Sequence, residues 1–233
     1  MNNMNHVKAV FFDADDTLLD HKACEKQALV HVFDSIGVDY QAQYQDLFRH
    51  FEQVLFDEGA YNGIAVPKTN VFTYRFKLLF EKLNIPYNDY VKANGFFKTG
   101  LANSAALIDG AVEVVEYLHR KGYLLCVATN GLIELQCSRV MNSEIGTFIS
   151  HIMASEEAGA HKPDPLIFYM LLERIGLQPG DVIMVGDSIT NDIQGAKNAG
   201  ITAVWYNPQR RANPTGIVPD FEIANLPELK NML

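Results

Sequence analysis

Val10-Phe11-Phe12-Asp13-Ala14-Asp15-Asp16-Thr17-Leu18-Leu19 decides the fold of this chain. An apolar run from Ala9 to Phe12 stops at three carboxylates, Asp13, Asp15 and Asp16. A run that short and apolar reads as a buried strand. Unpaired charge beside a core is costly, so a buried strand does not end in acids for the sake of stability. A helix N-terminus, where Asp and Thr cap free amides, accounts for Asp16 or Thr17 but not for the Asp13/Asp15 pair. Alternate residues at a strand end can point to the same side. Two carboxylates there can share a divalent cation, and one can act as nucleophile while the other handles protons.

Beyond this strand the pattern becomes helical. Ala28, Leu29, Val32, Phe33 and Ile36 recur at helical spacing. So do the apolar residues of 44–56 and 71–83, and 88–102 is a weaker fourth helix. From Asp109 helices alternate with strands. Asp109-Gly110 opens a helix with an acidic N-cap, and Gly122 stops it. A strand over 123–129, a helix over 132–141, an apolar run over 148–154 and a helix over 165–175 come next. The strand 182–185, a helix over 192–199 and a last strand over 201–206 follow. Alternation of this kind predicts an α/β fold: a Rossmann-like parallel sheet with helices on both faces. Residues 1–19 and 105–233 form its core domain, and 20–104 an inserted helical cap domain.

The 233 residues are 48% apolar, enough for a sizeable core, and carry a net charge of −9. That balance excludes a nucleic-acid polymer or an anionic membrane bound through a bulk positive field, but not a small phosphorylated substrate. No apolar run approaches spanning length, and the polar start from Met1 to Lys8 has no signal-peptide core. Cys24, Cys126 and Cys137 show no metal or CxxC spacing. A cytoplasmic location follows as the expectation.

Open parallel sheets bind ligands at the carboxyl ends of their strands. Asp13 and Asp15 follow the first strand, and Thr129-Asn130-Gly131 the second. His161-Lys162-Pro163 comes after the third, and Gly186-Asp187-Ser188 with Asp192 after the fourth. The four ends deliver a nucleophile, a hydroxyl with backbone amides, a cation and metal-binding carboxylates, the parts needed for phosphoryl transfer.

These pieces, in this order, resemble the haloacid dehalogenase-like phosphohydrolases, and they span nearly the whole chain. That family usually has glycine where Asp16 stands here. An acidic residue there, with Thr129-Asn130-Gly131 and the tail Trp205-Tyr206-Asn207-Pro208, is similar to the bacterial pyrimidine 5′-nucleotidase branch. The resemblance implies that Asp13 attacks phosphorus and forms an aspartyl phosphate. Asp15 would protonate the leaving oxygen and then deprotonate water. Mg²⁺ would be held by the Asp13 carboxylate, the Asp15 main-chain carbonyl and Asp187. Thr129, Asn130 and Lys162 would bind the phosphate. Asp192, with Ser188, would orient Lys162 or a metal-bound water.

The expected activity is therefore Mg²⁺-dependent hydrolysis of a nucleoside 5′-monophosphate, pyrimidines preferred. A phosphoglycolate or sugar-phosphate phosphatase is the main alternative. A dehalogenase needs neither Asp15 nor a metal, a phosphomutase would share the residues, and a non-catalytic regulator would have lost at least one of them. Leaving-group selectivity is expected from the insertion, with Asn62 and Arg75 as candidate substrate contacts. His21 and His161 stand where either could touch substrate.

Overall fold

In a computed structural model, six strands form one parallel sheet in the order β3-β2-β1-β4-β5-β6. The structure describes Met4 and residues 6–57 and 71–233. The strands are β1 (Ala9–Phe12), β2 (Leu124–Thr129), β3 (His151–Ala154), β4 (Val182–Gly186), β5 (Thr202–Tyr206) and β6 (Phe221–Ile223). Between and beside them run α5 (Ala111–Arg120), α6 (Ile133–Met141), the short α7 (Ser155–Ala158), α8 (Leu166–Ile175) and α9 (Gln194–Asn198). Four earlier helices, α1 (His21–Ser35), α2 (Gln43–Asp57), α3 (Val71–Leu83) and α4 (Tyr90–Ala102), carry the inserted stretch.

The central strands are apolar throughout because both of their faces are covered. Their side chains alternate between two cores. Val10, Phe12, Leu125, Val127, Ile183, Val185 and Val204 face a cluster with Ala111, Val114, Val115 and Leu118 of α5. Ala9, Phe11, Cys126, Ala128, Met184, Ala203 and Trp205 face another, with Ile167, Phe168, Leu171 and Leu172 of α8 and Ala196 of α9. The register pairs Phe12 with Val127 on one side and with Val185 on the other. β2 runs two residues and β4 one residue past that row, and the carboxyl ends of all three parallel strands lie at the same edge of the sheet.

The chain forms two compact units: Met1–His21 with Ala105–Leu233, and Lys22–Ser104. Within the first, the outgoing and returning segments are tied together. Asp20 N–H donates to the Ala106 carbonyl at 2.9 Å and Ile108 N–H to the Leu18 carbonyl at 2.9 Å. The helical unit has an aromatic core in which the Phe48 ring lies 5.0 Å from Phe76 and 5.1 Å from Phe97. Glu25 is buried in that unit and accepts from Arg49 Nε at 2.6 Å and Gln45 Nε2 at 2.9 Å.

Three local expectations are corrected. Asp109 does not cap α5: Gly110 holds the N-cap position with φ 79° and no side-chain cap. A Cβ there would come within 2.7 Å of the Pro227 ring, so glycine is required by space as well as by conformation. No regular helix opens at Asp192. A wide π-type turn over Ile189–Ile193 precedes the short α9. The strand β6 and the closing turn Leu226–Asn231 were not expected; three edge residues carry too little alternation to be read. Asn62 lies outside the described residues.

Candidate active site

Asp13 is the first residue beyond β1, its N–H donating to the Val185 carbonyl of β4 at 2.9 Å. Its side chain meets Lys162, which arrives from the loop between α7 and α8. Lys162 Nζ lies 2.5 Å from Asp13 Oδ1, 2.7 Å from Asp192 Oδ1 and 2.7 Å from the Ala128 carbonyl oxygen. An ammonium has three hydrogens, and three acceptors take them. Lys162 and Asp192 are both almost fully buried. Burial disfavours the Lys162 charge, but Asp13 and Asp192 outweigh it and hold its pKa well above the ordinary lysine value. Burial pushes the Asp13 carboxyl upward, against the pull of Lys162 and with the push of Asp192.

The loop carrying Lys162 is clasped to the loop after β2. Asn130 Oδ1 accepts from Lys162 N–H at 2.8 Å, and Asn130 Nδ2 donates to the Lys162 carbonyl at 3.3 Å. Thr129 is buried at the end of β2. Gly131 N–H donates to Ser155 Oγ at 2.9 Å, and Glu156 accepts from Ile133 N–H at 2.9 Å, fixing the start of α6 from across the loop. Nothing local in the sequence marks Ser155 or Glu156 as a support for this loop.

Asp192 is held from its other oxygen by Ser188 N–H at 2.9 Å, while Ser188 Oγ accepts from Asn191 N–H at 3.2 Å. Asp187 presents its carboxylate beside Asp13 and Asp192: one oxygen from each of the three lies within 4.8 Å of the others. Burial first, then Asp192 and Asp16, pushes the Asp187 carboxyl up to about 7, although Arg211 opposes this from 3.5 Å. Three carboxylates against the ammonium of Lys162 and the guanidinium of Arg211 leave the cluster net negative, and its hard oxygen donors fit a small divalent cation.

The Asp15 side chain lies outside that cluster. Its Oδ1 is 2.7 Å from Arg139 Nη2 and 3.2 Å from His21 Nδ1, and its Oδ2 accepts from Gln136 Nε2 at 3.0 Å. Burial acts against the charge, but the His21 hydrogen bond and Arg139 prevail and hold the carboxyl far below its ordinary range. The same contact with Asp15 raises the His21 pKa. Gln136 and Arg139 escaped the sequence reading; their spacing on a helix was visible, but nothing local shows that they face an acid from β1. His161 is exposed. Asp16 has φ 58°, the left-handed region that favours glycine and that Asp enters more readily than most residues.

Arg75, the candidate substrate contact on α3, is engaged within its own unit. It is 3% exposed inside the helical unit, its guanidinium 3.6 Å from the Phe48 ring centroid and 2.9 Å from Glu52. Packing of the α2–α3 pair accounts for it.

The family model described as haloacid dehalogenase-like hydrolase matches residues 7–200. The chain is 32% identical over 228 residues to the pyrimidine 5′-nucleotidase PynA of Streptococcus pneumoniae, covering 97% of this chain and 94% of that one. It is 29% identical over 240 residues to the glyceraldehyde 3-phosphate phosphatase of Pyrococcus furiosus, covering 99% and 94%. The crystal structure of the putative HAD-hydrolase YfnB from Bacillus subtilis, bound to magnesium, superposes with a TM-score of 0.84 at 29% identity, covering 97% of this chain and 98% of that one. The chain belongs to the haloacid dehalogenase-like hydrolases, and its relatives group it with their phosphatases.

Proposed function

We propose that this protein hydrolyses nucleoside 5′-monophosphates, pyrimidines ahead of purines, through an aspartyl-phosphate intermediate. The observation that carries the chemistry is the Asp13–Lys162–Asp192 chain beside Asp187. The substrate class rests on the full-length similarity to a pyrimidine 5′-nucleotidase.

In this mechanism an Asp13 oxygen attacks phosphorus as the bond to the leaving oxygen breaks. Asp15, protonated in the substrate complex although its contacts in the free enzyme favour the anion, gives that oxygen a proton. Water then attacks the phosphorus, Asp15 takes its proton, and the Asp13–phosphorus bond breaks. Lys162 offsets negative charge where the anionic nucleophile meets the anionic phosphate. Thr129 and the Asn130 amide hold phosphate oxygens. The Asp13 carboxylate, the Asp15 main-chain carbonyl and Asp187 would hold Mg²⁺, with Ser188 and Asp192 bracing the loop. When bound, the ion supplies the positive charge that the carboxylates lack and draws off phosphate charge. The free thiols of Cys24, Cys126 and Cys137 suit a reducing cytoplasm, and among the described residues no helix is long and apolar enough to cross a membrane.

The test compares kcat/KM for UMP, dTMP, AMP, glyceraldehyde 3-phosphate and phosphoglycolate, with Mg²⁺ and after EDTA. UMP or dTMP should lead, and EDTA should abolish turnover. The similarity to a glyceraldehyde 3-phosphate phosphatase supports a triose phosphate as the second reading. A sugar phosphate or phosphoglycolate ahead by more than tenfold would displace the nucleotidase reading.

A further inference from the structure

We propose that Arg139, with Gln136, is a positioning residue for Asp15: the two side chains form a cradle on α6 that fixes the carboxylate for its proton transfer from water. This rests on the phosphatase mechanism above. Gln136 and Arg139 stand three residues apart, on one face of α6. Arg139 Nη2 is 2.7 Å from Asp15 Oδ1, and Gln136 Nε2 donates to Asp15 Oδ2 at 3.0 Å. Gln136 Oε1 in turn accepts from Arg139 Nη1 at 3.2 Å, so the two arms brace each other. Both residues are buried, whereas the Asp15 side chain keeps 29% exposure.

A guanidinium is costly to bury and is tolerated where a carboxylate answers it. Here that carboxylate belongs to a surface-reaching loop residue, not to the core. Packing alone would be met by an apolar residue at 139. The base of α6 is also fixed: Glu156 holds the Ile133 amide and Ser155 the Gly131 amide. The cradle is therefore anchored to the loop that ends β2, beside the expected phosphate contacts Thr129 and Asn130. A carboxylate that is held by both oxygens keeps one place while it receives a proton, and a small misplacement of such a group costs up to about 100-fold in rate.

The two half-reactions separate this role from a structural one. With p-nitrophenyl phosphate the leaving phenolate departs without protonation, so forming the aspartyl phosphate does not need Asp15. Its hydrolysis does. Arg139→Met should lower steady-state turnover about 10- to 100-fold while the first-turnover release of nitrophenol keeps its rate. Acid-quenched enzyme should then carry a phosphoryl group on Asp13, visible by mass spectrometry. Gln136→Met should act in the same direction more weakly, and Arg139→Lys should recover part of the rate, since lysine restores the charge but not the fork.

Turnover within twofold of wild type in both Met variants would overturn the proposal. So would equal loss in the burst and the steady state with no phosphorylated enzyme, which marks general damage. If Arg139→Met does not fold, Gln136→Met reads the same carboxylate. A wild type with neither burst nor turnover on any phosphomonoester sinks the phosphatase reading itself, a result distinct from a defect confined to the variants.

Discussion

Gly186 lacks a side chain because the Asp192 carboxylate fills that place: a Cβ built on Gly186 would overlap Asp192 Cγ and Oδ2. Asp192 is what receives Lys162 from behind, so the shape of a glycine at the end of β4 sets where the active-site cation stands. Gly186→Ala should push Asp192 off Lys162, lower stability by about 1–3 kcal/mol and reduce turnover at least tenfold. Gly180→Ala is the control, because a Cβ there meets nothing within 4 Å. Thermal melts and phosphate release on the two variants decide it; equal behaviour would refute the argument.

Lys162→Met should harm both folding and activity. Removing one partner of a buried ionic group leaves uncompensated charge and costs about 3–5 kcal/mol. Here the stranded groups are the carboxylates of Asp13 and Asp192. Saturating Mg²⁺ should restore part of the lost melting temperature, more than it raises that of wild type, because the ion brings charge to Asp13 and stands beside Asp192. A melt indifferent to Mg²⁺ would count against a metal at Asp13 and Asp187.

Arg75→Ala should weaken the helical unit and leave substrate preference alone. Its guanidinium stacks 3.6 Å over Phe48 and pairs with Glu52 at 2.9 Å, so truncation should cost about 1–3 kcal/mol. Ratios of kcat/KM among UMP, AMP and triose phosphate should stay within twofold of wild type. A changed ratio would return Arg75 to the substrate.

Cys126 should resist alkylation in the native protein. Burial pushes its thiol up to about 12, against a hydrogen bond from the His151 main chain, and reactivity requires the thiolate. At pH 8 iodoacetamide should modify Cys137, which is half-buried, before Cys126, and peptide mapping reads the order. The sign for stability follows. A thiol whose folded pKa is raised favours folding fully below its unfolded pKa near 9 and loses that contribution as pH climbs toward 12.

The fold was legible where hydrophobic pattern is strong. The run Ala9–Phe12 ending in Asp13 announces a buried strand with chemistry at its tip, and α3 falls on Val71–Leu83, the stretch its periodicity marks. Elements held by tertiary contact were not legible. β6 owes its place to pairing with β5, and the turn at Ile189–Ile193 to Ser188 and Asp192. In the site, residues at strand ends could be read because topology sends strand ends to one edge. Gln136 and Arg139 could not, since a helix face does not say which loop it meets. The role of Arg75 was not legible for a related reason: an arginine among aromatics looks the same in sequence whether it binds a base or fills a core.

The three hydrogens of Lys162 already have holders: Asp13, Asp192 and the Ala128 carbonyl. A phosphate oxygen that takes one must take it from one of these. The Ala128 carbonyl is fixed in β2 and Asp192 is pinned by Ser188, which leaves Asp13 as the holder free to yield. On the proposed mechanism, substrate arrival would be an exchange of partners: the phosphate would gain a hydrogen bond, and Asp13 Oδ1 would regain its lone pair for phosphorus. The lysine would then work as a safety catch, released by the molecule on which the nucleophile is to act.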